Sequence, residues 1–208
     1  MINLSSIKNI IFDFGGVLFE INYEAPIKAF AALGFIDFSE VFTQAKQQPV
    51  IDQYESGKIS DELFLQFLES RVSGATREQL LDAWNSILLH IMPEQVEVVE
   101  KLKGKGYKTY LLSNTNAIHV AKFESLIAEK MNPENFRKAF DEIYYSNVIG
   151  LKKPHEEIFL KVCEWNSLNP AETLFIDDSI QHVLGAESAG LQAYHLKPGE
   201  RLTDVFVF

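Results

Sequence analysis

The chain has 208 residues, 47% hydrophobic and 12% aromatic against 23% charged, which suits one core domain with or without a modest insertion and excludes a disordered tail or a disulfide-stapled miniprotein. Lys and Arg number 19 against 29 Asp and Glu, a net charge of −10, so the surface repels phosphate backbones and acidic membranes, and neither nucleic acid nor a membrane is an expected partner. The single cysteine, Cys163, cannot pair within the chain and fits a reducing, cytoplasmic setting; no apolar run approaches the ~20 residues of a membrane helix, so no signal peptide or anchor is expected.

After Lys8-Asn9, the run Ile10-Ile11-Phe12 predicts a short buried strand ending at Asp13 and a Gly15-Gly16 turn. From about residue 22 to residue 91 the patterns are helical, with no convincing strand, which predicts a separate helical unit. Within it one helix starts at Ser60, with Asp61 and Glu62 in its first turn and Leu63, Phe64, Phe67 and Leu68 facing inward. A second carries a capping box of Thr76 and Gln79, then a stripe of Leu80, Leu81, Trp84, Ile87, Leu88 and Ile91. Further on, helical patterns over 94–103, 116–130, 154–165 and 179–189 alternate with strand patterns over 107–112, 142–145, 173–176 and 192–195. The alternation predicts an α/β fold, a doubly wound parallel sheet with an inserted helical cap. Residues 1–19 and 92–208 form the core and 20–91 the cap, which follows the first strand's carboxyl end and can cover a site there.

In an open parallel sheet, ligands bind beyond the carboxyl ends of the strands. Four polar clusters fall at such ends: Asp13, Ser113-Asn114, Lys152-Lys153-Pro154 and Asp177-Asp178. Singly, each has an ordinary reading as a turn or helix cap. Following strands of one sheet, they can converge on one edge. Carboxylates crowded within a few Å repel by about 4 kcal/mol per pair at an effective dielectric of ~20, which calls for a compensating cation. Oxygen-only ligands favour Mg²⁺, whose open positions suit phosphate oxygens, while a lysine and the Ser113 hydroxyl can hold the remaining anionic oxygens. One carboxylate can then attack phosphorus. Asp13, beside glycines that let a substrate approach the backbone, is the expected nucleophile.

The segments Phe12-Asp13-Phe14-Gly15-Gly16-Val17-Leu18, Leu112-Ser113-Asn114-Thr115-Asn116, Gly150-Leu151-Lys152-Lys153-Pro154 and Phe175-Ile176-Asp177-Asp178-Ser179 resemble, in order, the four motifs of the haloacid dehalogenase-like (HAD) hydrolase superfamily. The resemblance runs from about residue 8 to residue 196, with the helical insertion in the place of the family's mobile cap. Within the family the chain resembles the small bacterial sugar-phosphate phosphatases of the glucose-1-phosphate phosphatase type. That resemblance implies a Mg²⁺-dependent phosphatase acting on a small phosphorylated metabolite. It makes Asp13 nucleophile and metal ligand, the Gly15 carbonyl and Asp178 direct ligands, and Asp177 a water-mediated one. Ser113 and Lys153 would hold the phosphoryl oxygens, with Gly16, Asn114 and Asn116 lining the substrate site and Tyr23 and His119 among residues able to face the leaving group.

Two departures stand out. Gly15 occupies the place where most phosphatases of the family carry an Asp as general acid; Glu20 is a candidate substitute, against its reading as a solvated linker carboxylate. His182 replaces a further Asp or Asn of the fourth motif. A dehalogenase-type hydrolase, which needs no acid, and a non-catalytic phospho-ligand-binding module are the alternatives. The Asp177-Asp178 pair argues against the first and the retained nucleophile against the second. A P-loop, a dinucleotide fingerprint, a cysteine-phosphatase loop and a nucleophile elbow all fail on reading.

Overall fold

Ile10, Ile11 and Phe12 are each fully buried, which consecutive residues achieve in a strand covered on both faces. The structure, a computed structural model, describes Ile2, residues 4–44 and residues 48–206. Its elements run β1 (Asn9–Phe12), β2 (Phe19–Ile21), α1 (Glu24–Ala32), α2 (Pro49–Glu55), α3 (Asp61–Glu69), α4 (Arg77–Asn85), β3 (Leu88–Ile91), α5 (Pro93–Gly104) and β4 (Lys108–Ser113). There follow α6 (Ala117–Lys130), α7 (Pro133–Lys138), β5 (Glu142–Tyr145), α8 (Ser146–Ile149), α9 (Glu156–Trp165), β6 (Thr173–Asp177), α10 (Ile180–Ser188), β7 (Gln192–His195) and α11 (Leu202–Val205).

The main sheet has the order β5-β4-β1-β6-β7 with every neighbouring pair parallel, the doubly wound α/β architecture expected from the alternation. Side chains on β1 alternate between two layers. Ile10 and Phe12, with Leu111, Leu174 and Ile176, pack with Val96 and Val99 of α5 and Phe123 of α6. Ile11, with Tyr110, Leu112 and Phe175, packs with Phe159 of α9 and Ala186 of α10. Because the strands are parallel, Asp13, Ser113 and Asp177 all arrive at the same edge.

A third hydrophobic cluster lies within residues 30–87 and is built on aromatic rings. Phe30 stacks on Phe38 at 4.1 Å and Tyr54 on Phe64 at 4.2 Å, with Trp84 against Phe64. Both expected caps are present: the Ser60 side chain accepts from Leu63 N, and Thr76 and Gln79 form the reciprocal box. On α3, however, Leu65 is buried and Leu63 is 54% exposed. The inward stripe passes through Phe64, Leu65 and Leu68, so Leu63 falls on the neighbouring face.

The larger correction concerns Ile87–Ile91. The helix starting at Thr76 ends at Asn85, and Leu88–Ile91 form β3, antiparallel to β2, with Phe19 opposite Ile91 and Glu20 opposite His90. A stripe through Trp84, Ile87, Leu88 and Ile91 fits helical spacing, but a short apolar run fits a strand as well. Pairing with Phe19–Ile21, distant in sequence, selects the strand. This ribbon carries both chain crossings between the sheet and the helical unit. No helix among the described residues is long and apolar enough to cross a membrane.

Candidate active site

Lys153 stands at the centre of the edge where the strands end. Its fully buried ammonium donates to Asp13 Oδ1 at 2.6 Å and to Asp177 Oδ2 at 2.7 Å. Burial alone would lower its pKa, but Asp13 and then Asp177 outweigh that and hold it above the ordinary lysine value, so it stays a cation. Its backbone is clamped by Asn114, whose Nδ2 donates to Lys153 O at 2.9 Å and whose Oδ1 accepts from Lys153 N at 3.0 Å. Asn114, expected as a substrate contact, lines the chamber and at the same time clamps the Lys153 backbone.

Asp177 is spent in the same way. Its Oδ1 accepts from Ser179 N, its Oδ2 from Lys153, and His182 Nδ1 lies 3.0 and 2.9 Å from the two oxygens. Burial pushes its pKa up, yet Lys153 and His182 hold the carboxyl below the usual range. The other two acids go the opposite way. Burial, then Asp177, raises Asp13 to about 6; burial, then Asp13 and Asp177, raises Asp178 to about 8.

One oxygen from each of Asp13, Asp177 and Asp178 lies within 4.8 Å of the others. An all-oxygen acceptor set in which two acids are pushed up by burial and mutual repulsion fits a hard divalent cation, which relieves that repulsion. With both oxygens of Asp177 engaged, Asp13 and Asp178 are the carboxylates placed for direct contact. Gly16 makes room for them: its φ is +77°, and a Cβ there would run into the Asp178 carboxylate. Gly15 lines the same chamber, and a Cβ there would sit 3.0 Å from Ile21 Cδ1. Ile21 thus fills the space that a side chain at position 15 would enter.

Ser113 is buried and lines this chamber together with Asp13, Tyr23, Gln44, Glu55 and Asp178. The Tyr23 hydroxyl keeps its proton, because burial and then Asp178, Glu55, Asp13 and Asp177 push its pKa up. Gln44 Nε2 donates to Asp178 Oδ2 at 3.0 Å, so a residue of the helical unit touches the acidic cluster.

Asn116 and Glu20 lie elsewhere. Asn116 is fully buried and caps α6: its Oδ1 accepts from His119 N at 3.0 Å and from Trp84 Nε1 at 3.4 Å, and its Nδ2 donates to His119 Nδ1 at 3.0 Å. Fully buried and not among the described residues lining the chamber, it is not placed for the substrate contact expected of it. The same contacts fix the tautomer of His119, since Nε2 must donate to Trp84 O at 3.1 Å. Glu20 pairs with Arg201 at 2.9 Å and is not among the described residues lining the chamber, so it does not replace the missing acid.

Gln44 and Glu55 were missed in the sequence, where neither stands in a motif. Glu55 ends α2 and reaches the site because α2 docks on α8. Ser146 Oγ donates to Glu55 O at 2.6 Å and accepts from Thr115 N at 2.9 Å, and a Cβ at Gly57 would run into Asn147 O. Lys152 Nζ completes the contact at 2.7 Å from Glu55 Oε2.

A family model for haloacid dehalogenase-like hydrolases matches residues 7–190. The chain belongs to this family. Among its HAD relatives, D-ribitol-5-phosphate phosphatase of Bacteroides thetaiotaomicron is 29% identical over 194 residues, covering 93% of each chain. The crystal structure of an HAD family enzyme from the same organism, in complex with magnesium and inorganic phosphate, superposes with a TM-score of 0.81 at 31% identity, covering 97% of this chain and 100% of that one. An HAD-like hydrolase from Porphyromonas gingivalis gives 0.80 at 34% identity, covering 94% of both chains.

Proposed function

We propose that this hydrolase is a Mg²⁺-dependent phosphomonoesterase for small phosphorylated metabolites, with sugar and polyol phosphates as its substrates and Asp13 as its nucleophile. The observation that carries the reading is the contact of Asp13 with buried Lys153 at 2.6 Å inside a cluster shared with Asp178. The ribitol-phosphate phosphatase relative and the magnesium and phosphate bound in the similar crystal structure support it. The acidic trio argues against halide release, since attack on carbon needs no cation and three acids repel a carboxylate substrate.

Asp13, Asp178 and the Gly15 carbonyl would hold the ion, and Asp177 would contribute through water. When bound, Mg²⁺ supplies charge neutralisation and polarisation of the phosphoryl oxygens. Lys153 and Ser113 hold those oxygens while an oxygen of Asp13 attacks phosphorus and the ester P–O bond breaks. Water then attacks the phosphorus of the aspartyl phosphate, freeing phosphate and restoring the Asp13 carboxylate. Asp177 and His182 keep Lys153 aimed, and Asn114 fixes its backbone. Gly15 has no proton to give, so the leaving oxygen takes its proton from water in the chamber.

The test is phosphate release from a panel of sugar, polyol and other metabolite phosphates, with Mg²⁺ and with chelator. Release from a polyol or sugar phosphate that stops in chelator is expected. No release from any ester, or release undiminished by chelator, contradicts the reading.

A further inference from the structure

Two cavities meet above Asp13. The inner chamber, about 80 Å³, contains Asp13 and Asp178; the outer one, about 400 Å³, opens beyond it, and the two share Tyr23, Gln44, Glu55, Asn114 and His182. A leaving group that reaches from a phosphoryl at Asp13 into the outer cavity passes between these shared walls. Among the described lining residues, Lys152 and Lys153 are the only Lys or Arg side chains.

Both are already matched by acids. Lys153 is held between Asp13 and Asp177. Lys152 lies 2.7 Å from Glu55 and 3.2 Å from Asp52, and the side chains of Lys152 and Glu55 are only 8% and 7% exposed. Among the described lining residues a second anionic group on a substrate would find no cation without a carboxylate partner, and pulling Lys152 from its two carboxylates would strip a buried Glu55 of its partner. Around Lys152 two carboxylates face one cation, a local excess of negative charge on the wall of the outer cavity. Hydroxyls fare differently, because the Tyr23 hydroxyl and Gln44 amide offer uncharged hydrogen-bonding groups on the same walls.

Resting on the phosphomonoesterase reading, we propose that Glu55 and Asp52, fixed around Lys152, form a charge filter that admits phosphate esters with an uncharged leaving group and rejects those bearing a second anionic group. Glu55 and Asp52 are specificity-determining residues supplied by α2. They act by repulsion, so their removal gains activity on the rejected class rather than losing it on the accepted one.

A matched pair of esters tests this: glycerol 3-phosphate, whose leaving group is neutral, and 3-phosphoglycerate, which has the same carbon skeleton with a carboxylate. The parent is expected to favour the neutral ester in kcat/KM by about a hundredfold, and Glu55→Gln to narrow that ratio by about tenfold, as removal of one facing charge does in a poorly screened cavity. Asp52→Asn, at a half-exposed site tolerant of substitution, narrows it in the same direction and serves where Glu55→Gln folds poorly. Equal use of both esters by the parent, or a ratio that neither variant moves, overturns the filter while leaving the phosphatase intact. Release from other panel esters but from neither of the pair also overturns the filter, and no release from any ester overturns both.

Discussion

Adjacent glycines serve Asp13 in different ways. Gly16 combines a φ of +77° with a Cβ position that falls on the Asp178 carboxylate. Gly16→Ala is therefore expected to cost about 1–3 kcal/mol in backbone strain and to weaken Mg²⁺ activation by displacing Asp178; a denaturant melt and a Mg²⁺ titration of activity measure the two effects. In the proposed mechanism Gly15 leaves the leaving group without a protein acid, and Ile21 occupies the space a side chain there would enter. The rate should then depend steeply on how well the leaving group bears negative charge. Across a series of substituted phenyl phosphates, kcat/KM is expected to fall sharply as the phenol pKa rises; a flat series would reveal an acid elsewhere in the chamber.

The elements explain which of these residues the sequence could announce. Asp13, Ser113 and Asp177 were legible because each closes an apolar strand, and a parallel sheet puts all such ends on one edge. Lys153 was legible from its motif, though its link to Asp13 spans 140 positions and no local pattern contains it. Glu55 and Gln44 reach the site through tertiary docking, and Leu88–Ile91 became a strand only through a partner far along the chain. Asn116 stands in a motif yet turns inward, because α6 needs its cap and Trp84 and His119 take its other atoms. The joint between α2 and α8 hangs on Ser146, which is buried and serves Thr115 and Glu55 at once. Ser146→Ala leaves Thr115 N–H without that partner and is expected to lower stability by about 1–3 kcal/mol; a change within a few tenths of a kcal/mol would show that the joint carries no weight.

For the whole molecule, the acidic cluster links stability to pH and to metal. Asp13 and Asp178 have folded pKa values of about 6 and about 8, raised above the ordinary 3.8. Acids raised in this way contribute stability that is fully present below the unfolded pKa and lost as pH rises through the folded values. The metal-free protein should lose melting temperature as pH climbs through that window, and Mg²⁺, which competes with those protons, should restore more at about pH 9 than at about pH 6. An equal gain at both values would mean that the cation binds elsewhere. His119 has the opposite sign. Burial lowers its pKa from 6.5 to about 4, so the stability it contributes is present above 6.5 and lost as pH falls towards 4, and His119→Gln should flatten that acid-side loss.

The proposed mechanism has Asp13 itself carry the phosphoryl group. It is tested most directly by mixing enzyme, Mg²⁺ and a turned-over ester, quenching in acid, reducing with borohydride and sequencing the peptide around β1 by mass spectrometry. Conversion of Asp13 to homoserine, dependent on both ester and metal and accompanied by loss of turnover in Asp13→Asn, is the predicted result. A label on another residue, or an Asp13→Asn protein that releases phosphate at the parent's rate, would contradict it.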